Sequence, residues 1–361
     1  MQNKLKGISY CPVKLSLKNV ITMIRFVKIM HNLSQLSSYQ QKINLPSIAN
    51  FNSNVSGVMM GYDFHITEQG PKLIEINTNA GGGYLAFHAN HPKNFAIPAL
   101  KLKTKLLLMF GQEISLYGSK PSRMAIIDDE PEKQFFFPEM LEFAKMFTEN
   151  WGIPTDIVDP NEVENKNDKL FFNDNQIDMI YNRHCDFYLE TLPHIRDAYL
   201  ANNVCLTPNP RNYALLADKQ RMVIWSNLET LLEFGLEQAI AKFIASLVPE
   251  SYLLANLNME NVWKQRKQWV FKPINRFGSR GVIIGNSLRK KRFNNLPTQE
   301  TLVQRLVKPS LSDCEGFDKP MKTDIRVFAY RDKILGIGAR LYRGQVTNFQ
   351  EVGSGYAQVY I

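Results

Sequence analysis

Two stretches near residue 70 alternate, and that alternation constrains the fold more than any other feature of the chain. In Gly61-Tyr62-Asp63-Phe64-His65-Ile66 and in Leu73-Ile74-Glu75-Ile76-Asn77, the residues Tyr62, Phe64, Ile66, Ile74 and Ile76 fall on one parity. Asp63, His65, Glu75 and Asn77 fall on the other. Period two predicts two half-buried strands. Thr67-Glu68-Gln69-Gly70-Pro71 joins them as a five-residue turn. With Gln69 at the tip, Asp63 stands opposite Glu75, and Asn77 follows one step along the same face.

Like charges placed opposite each other destabilise a sheet, so this face asks for a compensating cation. The donors are two carboxylates and an amide oxygen, with His65 as the one nitrogen. Such hard oxygen ligands suit Mg²⁺, which takes one or two carboxylates and fills its other positions with water or phosphate oxygens. A solvated acidic face is the other reading of the alternation alone. The next run, Asn77-Thr78-Asn79-Ala80-Gly81-Gly82-Gly83, carries three glycines that let backbone approach a ligand closely.

Around this hairpin the chain has room for two or three domains, with 361 residues, 44% hydrophobic and 21% charged. The longest apolar runs, such as Leu106-Leu107-Leu108-Met109-Phe110, are too short to span a bilayer. No apolar segment of a signal peptide precedes Cys11. Cys11, Cys185, Cys205 and Cys314 form no CxxC pair, so neither a zinc site nor a disulfide framework is expected, and a reducing, cytoplasmic setting is. The net charge of +9 suits a polyphosphate ligand as well as a nucleic acid. Aromatic residues are not interleaved with basic ones in an RNA-binding pattern, and Arg289-Lys290-Lys291-Arg292 reads as a solvated turn.

Residues 1–118 open with a helical stretch over 15–40, with apolar positions at Ile21, Ile24, Val27 and Ile29-Met30. A polar connector follows at 50–56. A second helix is expected over 95–111, burying Leu100, Leu107 and Leu108. Residues 119–206 read as a small α/β layer: strands at Met124–Ile127, Asp156–Val158 and Met179–Arg183 around a helix from Pro138 to Trp151, closed by Gly152. Strand–helix–strand rhythm implies a parallel sheet, whose carboxyl edge forms a crevice. That edge carries Asp128, Asp129, Asn182, Arg183 and Asp186; loop caps and surface charges are the plainer reading of each.

Residues 207–361 hold the remaining charged motifs. A helix is expected to open at Leu215-Leu216-Ala217-Asp218-Lys219. The strand Gln268–Pro273 delivers Lys272, and the Gly/Ser/Arg loop that follows can cradle phosphates with backbone N–H groups. It is not a Walker A loop, because no Gly-Lys-Ser/Thr opens a helix. The strand Leu302–Val307 comes next. Then Thr323–Tyr330 pairs across Arg331-Asp332-Lys333 with Ile334–Arg340, with Asp324 and Arg326 on one strand face. Thr347-Asn348-Phe349 and Gly353-Ser354-Gly355 close the chain.

Taken together, these motifs resemble the ATP-grasp ligases. Gly-x-Asp-Phe, Glu-x-Asn and the glycine run look like that family's last metal-binding hairpin. The family puts this hairpin near the C-terminus, whereas here it precedes the rest. The resemblance covers roughly residues 207–361 plus 57–85, and its cyclic order implies a circular permutation like that of the eukaryotic type of glutathione synthetase. The implied fold class is α+β: an ATP-grasp of two subdomains clamping ATP, with an additional small α/β domain at 119–206.

The resemblance also implies roles. Asp63, Glu75 and Asn77 would hold Mg²⁺. Lys219 and Lys272 would be the phosphate lysines, and Gly278-Ser279-Arg280-Gly281 the lid loop. Gln304, Arg305, Leu306 and Val307 would form the hinge that meets adenine through its main chain. Asp324, Arg326, Arg340 and Asn348 would stand beside the γ-phosphate, with Arg326 and Arg340 catalytic. Asn182, Arg183, Asp128, Gly82 and Gly83 would help hold substrate. The hinge departs from the family in having Gln304-Arg305 where an acidic residue commonly holds the ribose, and the spacing after Asn348 is altered.

The implied activity is an ATP- and Mg²⁺-dependent ligase joining a carboxylate to an amine or thiol. Its partners would be small-molecule or peptide substrates, with no nucleic acid and no membrane. Oligomeric state is open, a homodimer included. Two competitors remain: a nucleotide-binding module without ligase activity, and a phosphotransferase acting on a hydroxyl. No general base is evident beyond His65.

Overall fold

The computed structural model of the chain describes residues 7–91, 96–275, 281–345, 347–349 and 351–361, and only the backbone of 96–100. Its largest sheet brings the two ends of the sequence together. The strand order is Ile8–Lys14, Gly355–Tyr360, Lys333–Tyr342, Met321–Tyr330, Met60–Thr67, Gly70–Asn77, with Ser310–Ser312 also paired to Met321–Tyr330. Met60–Thr67 runs antiparallel to Met321–Tyr330 and sets Asp63 opposite Arg326. The first and last strands, neither expected from the sequence, lie parallel to each other.

A disulfide between Cys11 and Cys314, with Cα atoms 5.3 Å apart and a sequence separation of 303, fastens the same two ends. This corrects the reading of the cysteines. Spacing tests close pairs only, and a partner this distant leaves no local signal. The ground for expecting a reducing compartment goes with it. Among the described residues no helix is long and apolar enough to cross a membrane.

One face of the sheet is covered by the helix Leu17–Gln35, whose N-terminus is capped by Ser16 accepting from the Asn19 amide. Val20, Met23, Phe26, Val27, Met30 and Leu33 recur at helical spacing and are buried. They pack in one cluster with Phe64, Leu73, Ile76, Ile325, Val327 and Leu341, and each fully buried side chain of this kind contributes about 1.5–3 kcal/mol. Ile21, expected inside, falls off this stripe and is 56% exposed.

The other face presents Asp324, Arg326, Phe328 and Tyr330 by alternation. The helices Gly83–Asn90 and Ala96–Tyr117 cover its apolar end, with Leu102, Leu106, Met109 and Phe110 buried. Leu108, expected inside, is 69% exposed, and Leu107 is half-buried; the buried positions lie to either side. The longer helix continues past Gly111 and brings Glu113 to full burial. There its carboxylate accepts from the amides of Ser56 and Gly57 at 2.9 and 3.0 Å, from the Thr207 hydroxyl at 2.5 Å, and from the Tyr330 hydroxyl at 2.8 Å. One carboxylate thus ties three distant segments.

Residues 124–207 build a parallel sheet in the order Cys205–Thr207, Met179–Asn182, Met124–Ile127, Thr155–Val158. The helix Phe137–Trp151 has Pro138 in its first turn and Gly152 in the left-handed conformation at its end, as the sequence predicts. A small antiparallel sheet of Glu164–Lys166, Lys169–Phe172 and Asn175–Ile177 was not expected. Its turn residues Asn167-Asp168 and Asn173-Asp174 all have positive φ, the signal of tight hairpins.

A third, antiparallel sheet orders Ser251–Leu253, Thr301–Arg305, Trp269–Pro273 and Ile283–Ile284. The helix expected to open at Leu215 begins earlier. Asn209 and Asn212 cap each other reciprocally, and a short helix at Pro210–Asn212 runs into a π turn over Tyr213–Ala217. Asp218 ends that π turn and also stands at the start of the next helix, Arg221–Trp225: its Oδ1 accepts from the Gln220 amide and its carbonyl from the Arg221 amide, each at 2.9 Å.

Candidate functional site

The acidic hairpin keeps its expected register at one end and departs from it at the other. Gly61 pairs with Asn77, Tyr62 with Ile76 and Asp63 with Glu75, but Phe64 pairs with Leu73. Ile74 is the extra residue of a β-bulge, and a bulge leaves its residue out of the ladder. The turn shortens to Glu68-Gln69, Leu73 takes the core place, and Ile74 moves to the other face. Its freed carbonyl accepts from Lys272 Nζ at 3.0 Å. An irregularity of one strand thereby positions a lysine of another sheet.

Lys272, Asp63, Glu75, Lys219, Asp324 and Arg340 line one cavity between the largest sheet and the sheet carrying Lys272. Gln304, Arg305, Leu306 and Val307 form part of its wall, together with Ile74, Val270, Val282 and Ile284. Gly281 adjoins it with φ +78°, while Gly278, Ser279 and Arg280 lie outside the described residues.

The charges in this cavity are arranged in series. Arg326 grips Asp63 with two parallel bonds of 2.7 Å, Nε to Oδ1 and Nη2 to Oδ2. Arg340 Nη2 reaches Asp63 Oδ2 at 2.9 Å, and its Nε binds Asp324 Oδ1 at 2.5 Å. The Thr347 hydroxyl donates to Asp324 Oδ2 at 2.7 Å. Asn348, next to Thr347 in the chain, is exposed. Burial alone would raise the Asp63 carboxyl, but Arg326 and Arg340 outweigh it and hold it at about 2. The cation that the paired carboxylates call for is therefore supplied, for Asp63, by two guanidiniums.

Lys272 shows the opposite balance. Burial, aided by nearby Lys219, lowers its ammonium to about 8, although Glu75 and Asp63 pull it up. His65 is lowered too, chiefly by burial, and its Nδ1 lies 2.8 Å from the Val307 carbonyl. A carbonyl only accepts, so Nδ1 carries the proton of a neutral ring. Along the hinge, the Arg305 and Leu306 amides donate to Glu250 and Gln268 carbonyls at 2.8 Å each. Among the described bonds, neither the Leu306 carbonyl nor the Val307 amide is engaged. The Arg305 guanidinium turns away over Trp269, and the Gln304 side chain bonds Ser251.

Asn77 donates from Nδ2 toward Asp63 Oδ2 at 3.2 Å and Glu75 Oε1 at 3.5 Å, so the three expected metal residues do converge. Their donors suit Mg²⁺ in part. Asp63 Oδ2 already accepts three bonds, which leaves Glu75 and Asn77 as the better-placed oxygen donors. Among the described residues no cluster of three or more His, Cys, Asp or Glu forms a ready metal cage.

A second corner gathers the expected substrate residues. The helix Gly83–Asn90 starts at Gly82, whose φ is +90° and where a Cβ would sit 2.3 Å from the Tyr356 ring. Glu139 caps that helix across the chain: Oε1 accepts from the Gly82 amide at 3.1 Å and Oε2 from the Tyr84 amide at 3.0 Å. Arg183 Nη1 stands 3.6 Å from the same carboxylate. The Gly81 carbonyl accepts from Tyr356 Oη at 3.0 Å and from Arg326 Nη1 at 3.4 Å, which links this corner to Asp63. Burial raises Asp128 to about 6 against the pull of Arg183. Asn182 does not join: it braces a turn, bonding the His184 amide and the Pro208 carbonyl. Sequence reasoning missed Glu139, Tyr356 and Thr347. An acid in a helix's first turn is commonplace, so Glu139 gave no signal.

No protein-family model matches the chain, and no curated protein matches its sequence. Solved structures do match its fold. A glutathione synthetase-like effector from Globodera pallida, in apo form, aligns with a TM-score of 0.63 at 12% identity, covering 99% of this chain and 91% of that one. A candidate gamma-glutamylcysteine synthetase from Methylobacillus flagellatus aligns with a TM-score of 0.53 at 8% identity, covering 95% and 86%. The chain thus has a mixed α+β fold like that of glutathione synthetase-like proteins.

Proposed function

We propose that the chain is an ATP- and Mg²⁺-dependent ligase of the ATP-grasp type, circularly permuted, joining a carboxylate to an amine or thiol. The observation that carries the reading is the convergence of Lys272, Lys219, Glu75, Asp324, Arg340 and the hinge on one cavity, from segments at both ends of the sequence. The glutathione synthetase-like fold of its structural neighbours supports it.

In this reading the Leu306 carbonyl and Val307 amide offer an acceptor and a donor side by side, complementary to the amino edge of adenine. His65 holds the Val307 carbonyl aside. Lys272 and Lys219 neutralise phosphate charge. Glu75 and Asn77, with Asp63 if it releases a guanidinium, would hold Mg²⁺, which would supply neutralising charge to the phosphates. Arg340 and Arg326 stand where the transferring phosphoryl group and the acyl oxyanion develop charge. The substrate carboxylate attacks the γ-phosphorus and ADP leaves; the amine or thiol then attacks the acyl phosphate and phosphate leaves. Catalysis on this account is positioning and charge stabilisation.

The test is ADP release with Mg·ATP against amino acids, short peptides and polyamines, offered singly and in pairs. Release that needs a carboxylate together with an amine or thiol supports ligation. Release triggered by a hydroxyl compound alone contradicts it.

A further inference from the structure

We propose that a polar cavity behind the largest sheet binds a phosphate group, free or as the monoester of a small polyol. The site is separate from the Lys272 cavity and does not depend on the ligase reading.

The cavity measures about 260 Å³. It is walled by the helix Leu17–Gln35, the connector 52–56, the strand Met60–Thr67, the segment 211–216 and the turn at Arg331. On that strand, alternation turns Tyr62 to this side and Asp63 to the Lys272 cavity. Two guanidiniums, Arg211 and Arg331, stand in the wall, and among the described residues no Asp or Glu does. Arg211 donates to the Ala49 carbonyl at 2.9 Å and to Gln40 Oε1 at 2.8 Å, both uncharged acceptors. Arg331 lines the cavity with no hydrogen bond or ion pair among the described residues. Asp332, beside it in the chain, is exposed. Positive charge of this kind in a concave, polar wall calls for an anion.

Tyr62 argues that the site is built for a ligand. It is 1% exposed, it lines the cavity, and its hydroxyl has no hydrogen-bond partner among the described residues. A buried hydroxyl left without a partner is destabilising. Burial alone acts on its acidity, with no bond or charge opposing it. His31 is lowered by burial and then by Arg331, against the pull of Asp332, so its ring is neutral and offers one N–H and one acceptor nitrogen.

Phosphate matches these groups. Donors from three elements, Arg211, Arg331 and Tyr62, suit an anion with three terminal oxygens better than a carboxylate with two. The side-chain amides of Gln35, Asn52 and Asn54 share the wall and suit hydroxyl groups. The volume lies just below the range of about 300–1,000 Å³ common for small-molecule sites, so it admits a sugar phosphate and not a dinucleotide.

Thermal unfolding without nucleotide tests the site, with sodium phosphate, glucose 6-phosphate, glucose and sodium chloride at matched ionic strength. The wild type should gain about 2–4 °C in roughly 10 mM of either phosphate compound, and nothing in glucose. An equal gain with both assigns free phosphate; a larger gain with glucose 6-phosphate assigns the ester. In Lys272→Met, which weakens phosphate binding in the other cavity, the gain should persist. Adding Arg331→Asn, which suits the left-handed φ of +56° at that turn, should abolish it. Tyr62→Phe keeps the packing, so its Tm without ligand should match the wild type's, while its affinity for the phosphate compound falls about tenfold. No gain in the wild type, a gain lost in Lys272→Met, or a gain that survives the added Arg331→Asn overturns the proposal. So does a Tyr62→Phe protein that melts lower yet binds as tightly as the wild type, the mark of a purely structural hydroxyl.

Discussion

The Lys272 cavity and the Arg183 corner both bury charge, and they satisfy it differently. At the cavity wall, Asp324, Arg340 and Asp63, with Arg326 bound to Asp63, alternate in sign, and most of their polar atoms meet a partner within 3 Å. This series is a finished structural element. Glu75 and Lys272 face the cavity beside it and remain the groups a ligand would meet. In the corner a single arginine stands 3.6 Å from the Glu139 carboxylate, with Asp128 also within its pull, under two aromatic rings. A complete network fixes the backbone that carries a site; an incomplete one marks where a ligand can still gain.

The contrast can be broken at its strongest point. Asp63→Asn leaves two buried guanidiniums on the Asp324 carboxylate alone. Stability should fall by about 3–5 kcal/mol, as for a broken buried pair. Equilibrium denaturation checks this; a loss below about 1 kcal/mol would show the series to be incidental. Glu75→Gln should do the reverse. Stability stays within about 1 kcal/mol, while ATP turnover drops on the order of 10²–10³-fold, as for loss of one charge-stabilising group. An active, Mg²⁺-dependent Glu75→Gln protein would remove Glu75 from the site.

A smaller effect separates Lys272 from the same network. Lys272→Met should weaken nucleotide binding about tenfold or more. In the wild type, phosphates would raise the lysine above its free value of about 8, so binding takes up a proton. Affinity is then full below pH 8 and falls as pH rises past it, by up to about tenfold per unit. Titrations from pH 7 to 10 should show this fall in the wild type and its absence in Lys272→Met. A flat wild-type profile contradicts the assignment.

How much of this was legible depends on the range of the interaction. The hairpin could be read because one face of each strand is buried, which forces alternation. Trp269–Pro273, Thr301–Arg305 and the Met321–Tyr342 hairpin were legible for the same reason. The bulge at Ile74 was not, since its use lies in Lys272 of another sheet. The strands Ile8–Lys14 and Gly355–Tyr360 pair across the whole chain, as do Cys11 and Cys314, and such pairings leave no local trace. The aliphatic positions of the two long helices were half legible: the period was right, but the phase that exposes Ile21 and Leu108 is set by the sheet beneath. Glu139 and Glu113 look like ordinary helix-surface acids, and only tertiary structure shows what they hold.

Hydrogen exchange with and without Mg·ATP tests most directly whether the two ends of the chain build one nucleotide site. The account predicts added protection in 60–77 and in 302–307 together, lost from both in Lys272→Met. Protection confined to one of the two segments, or absent from both at saturating nucleotide, would contradict it.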